Sequence, residues 1–348
     1  MKSLWLSFFL FSLAFWPLNY NVIGIPLYFL VTALGIFQIR YISKRMLSVF
    51  ISVTVILLLH SIWVGTAEWY YTTAYLCIIY IITENLRSSS IAQVRIPSTS
   101  AYITGTHLIL SYFSFFLTGD LLYIFDEPSH IGISIGPFFA LTVISRKSVL
   151  SRIFFFLLML MYAIHLPSMT FLICFISIFI YSLWFYLDNF LKVLLVAVII
   201  ALAYFSATGL YNNGIKEESL FIWGFGFIRA FDILQSNILG VGVFGWVITD
   251  LQVDFSDLTT FNDRDMASII PFILSSFGVG SSIILAFLVG PQHHLSDNLK
   301  FFIFVVLTMS CVRWVGPSLG PFVLVVSLVF LNKQLKYSTE KSQVPKSG

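Results

Sequence analysis

Long apolar runs follow one another along most of this 348-residue chain and constrain its fold more than any other feature. Hydrophobic residues make up 58% of the sequence and charged residues only 10%, whereas soluble domains carry about 25% charged residues. The mean hydropathy is +0.93. These values predict an all-α polytopic integral membrane protein that forms one helix bundle rather than several domains.

Twelve apolar runs predict about twelve transmembrane helices, at residues 4–17, 22–38, 47–64, 69–83, 101–118, 131–144, 153–166, 169–187, 190–208, 267–289, 300–314 and 319–332. Several runs, among them the sixth and the last two, are shorter than the ~20 residues that cross a bilayer. The last two flank GPSLGP (316–321), which is also consistent with a break inside one hairpin-like element. We therefore expect a transmembrane bundle over 1–332 and a polar tail at 333–348.

The Lys and Arg residues between the runs predict the orientation in the membrane. With the N-terminus inside, fifteen of the nineteen basic residues lie on the inner side, and four lie on the outer side: Lys216, Arg229, Arg264 and Arg313. Cytoplasmic connections carry such an excess of Lys and Arg. We therefore predict that both termini are cytoplasmic and that 209–266 forms one large outer loop.

The outer loop contains an apolar helix with a narrow polar stripe. A helix over 218–236 would place Gly226, Arg229, Asp232 and Ser236 on one face. Such a helix suits a membrane interface or a site covered by other helices. Arg229 is then either an anion clamp or an interfacial residue that extends its charge to water or pairs with Asp232.

A second polar cluster, GDLLYIFDEPSHIG, follows the fifth run on the predicted outer side. It contains Asp120, Asp126, Glu127 and His130. Carboxylates and imidazoles are the groups that general acid–base catalysis uses. Because Pro128 followed by an apolar run is also a common helix start, these acids could instead be solvated groups at a helix end.

Histidines and cysteines elsewhere give weaker signals. His165, in HLPS, is predicted to lie in an outer turn, and His60 and Arg313 lie near predicted outer helix ends. Ionisable groups at membrane depth usually face a partner or a wet cavity. The outer histidines lie on different elements without ligand spacing, so we predict no metal site. The three cysteines lie inside apolar runs and are interpreted as small buried hydrophobic residues.

Two short motifs match nucleotide-related patterns in an unsuitable context. Gly240, Gly242 and Gly245 satisfy GxGxxG, but they follow a helix-like run rather than a strand. This glycine turn could present backbone N–H groups to an anion, or it could simply end a helix. The DRD sequence at 263–265 is similar to the metal-binding DxD of nucleotide-sugar transferases, but the outer side offers no nucleotide sugar. We predict neither nucleotide site.

The sequences FDEPSHIG, RAFDILQSNILGVGVFGW and SSFGVG together resemble the bacterial O-antigen and capsular-polysaccharide polymerase (Wzy) family. The resemblance covers roughly the middle and later thirds of the chain and the overall topology, and the related O-antigen ligases share the last two sequences. It implies a multi-pass glycosyltransferase of the bacterial inner membrane whose loop 209–266 is periplasmic. Such an enzyme transfers a glycan from a polyisoprenyl-pyrophosphate donor to a lipid-linked repeat unit, without a cofactor or a metal.

The resemblance also implies roles for two groups of residues in this sequence. The donor would be bound through its pyrophosphate and glycan by Arg229, with Arg313 or Arg264 as a second cation, and by Asp232. The acceptor hydroxyl would be activated by Glu127, His130 or His165. Arg suits the first task because its planar guanidinium binds phosphates in a bidentate manner.

The expected partners are an undecaprenyl-pyrophosphate-linked oligosaccharide, membrane lipid and a chain-length regulator protein, and no nucleic acid. Two alternatives are an O-antigen ligase that moves the glycan onto lipid A core and a lipid-linked oligosaccharide flippase or other transporter. A transporter is expected to place charges near the membrane midplane along a path. The charges here cluster at the predicted outer face beside one large loop, which favours an enzyme.

Overall fold

The computed structural model describes residues 2–15, 27–39, 42–64, 69–87, 89–122, 125, 128–166, 168–184, 218–242, 268–290, 292–310 and 321–343. These residues form helices joined by turns, and no strand occurs among them. The all-α prediction is therefore confirmed for the part of the chain that the structure describes. The ninth predicted run, 190–208, lies outside that part.

Helices occur in each of the other eleven predicted runs. One more helix, α9, lies in the predicted outer loop. In chain order the described helices are α1 Lys2–Ala14, α2 Leu27–Ile36, α3 Lys44–Val64, α4 Trp69–Leu86, α5 Ser89–Thr118, α6 Pro128–Ile144, α7 Val149–His165, α8 Met169–Trp184, α9 Glu218–Ser236, α10 Ile269–Phe277, α11 Ser281–Val289, α12 Asp297–Ser310 and α13 Phe322–Gln343. The 3₁₀ turn Gly278–Gly280 separates α10 from α11. The tenth run, 267–289, is thus one helical segment with a break.

Within the described residues, two segments are long and apolar enough to cross a membrane, Met46–Val64 and Ile269–Val289. On the first of them, within α3, Ile56, Ile62 and Trp63 are 63%, 65% and 78% exposed. Large apolar side chains exposed along one helix need lipid or another protein to cover them. Both features favour association with a membrane.

The centre of the bundle is α6, which packs against α5, α8 and α12. Aromatic side chains fill these contacts: the rings of Phe138 and Phe302 lie 5.3 Å apart, and those of Phe139 and Phe171 lie 5.9 Å apart. All four side chains are fully buried. Buried rings in such offset or edge contacts stabilise a core beyond the area they bury. A smaller apolar cluster joins α3, α4 and α13.

Some boundaries differ from the sequence prediction. The fifth run was predicted to start at 101, but α5 starts at Ser89 and contains Pro97, which cannot donate the usual helical hydrogen bond. The last helix continues to Gln343, well beyond the predicted end at 332. Two boundaries agree with the prediction: α6 starts at Pro128, and α9 spans Glu218–Ser236.

Helices α3 to α8 define two ends of the bundle. Each of them packs against the next in the chain, through a connection of only a few residues in most cases. Helices joined in this way run antiparallel, so α3, α5 and α7 terminate at one end. We call this end the His165 end, after the last residue of α7.

Candidate functional site

A cavity of about 220 Å³ lies at the His165 end, where the termini of α5 and α7 meet. It is lined by Phe115, Gly119, Asp120, Leu121, Leu122, His165 and Leu166. We call it the Asp120–His165 pocket. One wall therefore carries a carboxylate and another carries an imidazole, while the remaining side chains are apolar. The pocket is open to the surface, since Phe115, Asp120 and His165 are exposed.

The turn after α5 fixes the position of Asp120. Gly119 adopts a φ of 77° and donates its N–H to the carbonyl of Phe115 at 2.8 Å, which is a common way for glycine to end a helix. The Asp120 carboxylate then accepts the N–H of Leu122 at 2.9 Å, and the Asp120 N–H donates to the hydroxyl of Thr118 at 3.2 Å. The carboxylate is thus held by a local Asx-type turn.

His165 is the last residue of α7, and a hydrogen bond determines which tautomer its neutral ring adopts. Its Nδ1 lies 2.8 Å from the carbonyl oxygen of Met161. Because a carbonyl can only accept, Nδ1 must carry the hydrogen, and the neutral ring then has its lone pair on Nε2. The side chain is exposed, so Nε2 can accept a proton from a ligand in the pocket.

A buried hydroxyl network lies beneath the pocket and anchors its floor. Ser111 donates its hydroxyl hydrogen to the carbonyl of Leu121 at 2.6 Å, so Tyr162 donates to the Ser111 oxygen at 3.0 Å. Both side chains are fully buried, and the ring of His107 lies 5.0 Å from that of Tyr162. A network that joins α5 and α7 in this way holds the pocket segment against both helices.

Arg229 lies on the buried face of α9, which packs against α10. Only 7% of Arg229 is exposed, and Gly226 and Ile233 are buried beside it. Asp232 and Ser236 are exposed, so the predicted stripe of four residues does not share one face. The buried face follows a spacing of three and four residues from 226 to 233. A lipid-facing Arg that reached toward water would be exposed, and Arg229 is not.

The glycine turn after α9 is bonded to the end of α10. Its consecutive N–H groups, those of Gly240, Val241 and Gly242, donate to the carbonyls of Asn237, Ser275 and Ser276 at 2.9, 2.8 and 3.0 Å respectively. In return, Val279 donates to the carbonyl of Ile238 at 2.9 Å. These three N–H groups are occupied and cannot bind an anion, whereas Gly245, the last glycine of the motif, lies outside the described residues. The alternative, that the glycines end a helix in a tight turn, is confirmed.

Two glycines make the contact between the turn and α10 possible. Gly240 and Gly278 adopt φ values of 79° and 53°. A Cβ atom on Gly240 would lie 2.6 Å from the backbone nitrogen of Gly278, and one on Gly278 would meet the carbonyl oxygen of Ile238. We call this contact the glycine crossing. It places the end of α9 directly on the helix break at 278–280.

His60 connects the glycine crossing to α3. Its Nε2 donates to the carbonyl of Leu239 at 2.9 Å, and its ring lies 5.5 Å from that of Phe277. His60 lies one turn before the end of α3, so the crossing belongs to the His165 end of the bundle. The sequence had indicated His60 only as an ionisable residue near a helix end.

No protein-family model, curated protein or solved structure matches the chain. The residues themselves therefore carry the functional argument. Within the described ranges, no group of three or more His, Cys, Asp or Glu side chains could hold a metal ion.

The structure places the predicted site residues as follows. Glu127, Arg264 and Arg313 lie outside the described residues. His130 lies in the first turn of α6, partly buried, and does not line the Asp120–His165 pocket. His165 lines that pocket with Asp120. Asp120 belongs to the same acidic cluster as Glu127, but the sequence did not indicate it as a site residue. The helix-ending Gly119 beside Asp120 was the signal in the sequence that could have identified it.

Proposed function

We propose that the chain is a membrane glycosyltransferase that polymerises lipid-linked repeat units. It would transfer a glycan from an undecaprenyl-pyrophosphate donor to a lipid-linked acceptor at the outer face of the bacterial inner membrane. The observation that carries this proposal is the burial of Arg229 in the apolar helix α9. A buried guanidinium in such a helix suits the recognition of a pyrophosphate that arrives attached to a membrane lipid.

The physical chemistry of Arg supports this assignment. A pyrophosphate offers several oxygens, and the planar guanidinium can bind two of them at once. Gly226 lies about one turn before Arg229 on the same buried face and adds no side chain beside the guanidinium.

The membrane association of the chain supports a lipid-linked substrate. A polyisoprenyl donor already stores the energy for transfer in its sugar–pyrophosphate bond, so the reaction needs no ATP. We propose twelve transmembrane helices with cytoplasmic termini and with 209–266 in the periplasm, as the distribution of Lys and Arg predicts. Arg264 and Arg313 are proposed as additional cations for the donor, and a chain-length regulator as a protein partner.

The acceptor in this reaction is a sugar hydroxyl that must lose a proton. Glu127 and His130, at the start of α6, and His165, at the end of α7, are the proposed general bases. By connectivity, both helix termini belong to the His165 end of the bundle. The glycine crossing ties α9 to the same end through His60, which supports a common site for Arg229 and a base.

The test compares Arg229 variants in a strain that makes the lipid-linked units but lacks its own polymerase. Arg229→Ala should abolish chain growth and leave single repeat units, and Arg229→Lys should be strongly impaired because it loses the bidentate geometry. The control is Arg95→Ala, since Arg95 is exposed on α5. Glycan ladder length is measured at matched membrane abundance.

Two outcomes would contradict the proposal. Full-length ladders from Arg229→Ala would exclude a pyrophosphate clamp at this position. Normal ladders from Arg229→Lys would indicate that only a positive charge is needed there, as for an interfacial Arg.

A further inference from the structure

We propose that the Asp120–His165 pocket binds one sugar residue of the acceptor, and that His165 Nε2 takes the proton from its reacting hydroxyl. This inference rests on the proposed function, which it deepens by assigning a sugar subsite and a base. The pocket was not apparent from the sequence because Asp120, in the turn after α5, and His165, at the end of α7, are far apart in the chain.

The size of the pocket suits a single ring. Its volume of about 220 Å³ is below the roughly 300–1,000 Å³ of pockets that hold drug-sized ligands. One pyranose ring fits this scale, whereas a whole repeat unit of several sugars would have to extend beyond the opening. The pocket would therefore select the terminal sugar of the acceptor.

The lining has the chemistry that a sugar requires. An ionised carboxylate only accepts hydrogen bonds, so Asp120 can receive two neighbouring hydroxyls of one ring. Phe115, Leu121, Leu122 and Leu166 provide apolar surface for the C–H face of that ring. Among the described residues that line the pocket there is no Lys or Arg side chain, so a neutral polyol suits this lining better than a phosphate.

The polar groups of the pocket are held in place before any ligand binds. The Asp120 carboxylate is fixed by the N–H of Leu122, and the His165 ring by the carbonyl of Met161. The buried Ser111–Tyr162 pair fixes Leu121 from below. Since binding need not order these groups, little affinity is lost to entropy.

The proposed step balances as a simple displacement. The acceptor hydroxyl loses its proton to His165 Nε2, and its oxygen forms a bond to the anomeric carbon of the donor glycan. The bond between that carbon and the pyrophosphate oxygen breaks, and the pyrophosphate leaves with the electron pair. Arg229 would stabilise the charge on this leaving group, whereas His165 acts on the acceptor.

The first experiment measures chain growth in Asp120→Asn and His165→Gln variants. We expect at least a 10-fold loss of polymerised glycan in both, with accumulation of single units. Their matched controls are Asp297→Asn and His293→Gln, because both residues are exposed and lie outside the pocket lining. Polymerisation at the wild-type level in Asp120→Asn or in His165→Gln would overturn the proposal.

The second experiment separates this pocket from the donor site. Purified protein in detergent is heated with and without undecaprenyl pyrophosphate. Asp120→Asn and His165→Gln should keep the thermal stabilisation by this lipid, whereas Arg229→Ala should lose it. If the two pocket variants lose it as well, they have damaged more than an acceptor subsite and the proposal is overturned.

The third experiment tests sugar binding directly, whether or not the chain polymerises glycans in the strain used. Leu122→Cys, with the native cysteines replaced by alanine, is labelled with a maleimide in the presence of the single repeat-unit oligosaccharide. The oligosaccharide should slow labelling at 122 and leave a Val94→Cys control, exposed elsewhere on α5, unchanged. Equal labelling of Leu122→Cys with and without oligosaccharide would refute sugar binding in the pocket. A wild-type chain that produces no glycan ladders would refute only the proposed function.

Discussion

The glycine crossing gives the sharpest prediction for stability, through the substitution Gly240→Ala. Gly240 has a φ of 79°. A Cβ atom there would lie 2.6 Å from each of three backbone atoms: the nitrogen of Gly278 and the carbonyl carbon and oxygen of Ser276. Backbone atoms cannot rotate away as a flexible side chain can. The added methyl group must therefore push the turn away from α10.

The cost can be worked out from the contacts that this movement breaks. A left-handed φ costs an L-residue roughly 1–2 kcal/mol. Three hydrogen bonds join the turn to α10 and its break, and each contributes about 0.5–1.5 kcal/mol net. Replacing Gly by Ala regains about 0.4–1 kcal/mol from the unfolded chain. The expected loss of stability is therefore about 3 kcal/mol.

The measurement is the thermal unfolding midpoint of the detergent-purified protein, with membrane abundance as a second readout. A loss of about 3 kcal/mol should lower the midpoint by about 4 °C, because the unfolding entropy is about 2.1 cal/mol/K per residue. Gly278→Ala should behave similarly because its Cβ would meet the carbonyl oxygen of Ile238. Gly280→Ala is the matched control. Gly280 has a φ of −64°, and a Cβ atom there would lie 4.0 Å from the nearest heavy atom. A Gly240→Ala midpoint equal to that of Gly280→Ala would refute the reasoning.

Two further predictions concern orientation and catalysis. Cysteines introduced at Asn212 and Asp257 should react with impermeant thiol reagents in intact cells, and one at Ser342 should not. The reason is that the basic residues predict 209–266 outside and the tail inside. Labelling at 342 would contradict this orientation. Glu127→Gln should reduce polymerisation by about 10² or more if Glu127 is the base, whereas normal glycan length at normal protein level would make Glu127 a helix-end acid.

Local signals in the sequence predicted most of the helices. Long apolar runs interrupted by polar residues located the described helices other than α9, apart from their ends, because helix formation in a bundle follows the apolar pattern. Pro128 marked a helix start since its missing N–H is not needed in the first turn. The polar residues around Pro97 concealed the first part of α5, because neither polarity nor a single proline prevents a helix that its neighbours stabilise.

Contacts between distant segments could not be predicted from these signals. Asp120 and His165 approach each other because α5 and α7 end on the same side of the bundle, and a single sequence does not show which ends are adjacent. The glycine crossing likewise joins a turn at 240 to a helix break at 278. Gly240 is part of the GxGxxG match and Gly278 is part of SSFGVG, but neither sequence indicates that the two meet. Arg229 was identified correctly as a residue of the apolar helix, but its exposed neighbour Asp232 shows that 3.6-residue periodicity alone does not define which stripe is buried.

The glycine crossing also explains how the position of Arg229 on α9 is fixed. Arg229 lies seven residues before Ser236, the last residue of α9, which corresponds to about 10 Å along a helix. The turn that follows is bonded to α10 and, through His60, to α3, so α9 cannot slide along its axis without breaking these bonds. A guanidinium that must meet a pyrophosphate at one depth in a membrane needs such an anchor, because a misplacement of about 1 Å can reduce catalysis 10²-fold. The crossing is thus expected to influence transfer through Arg229 as well as stability, since both depend on the same three hydrogen bonds.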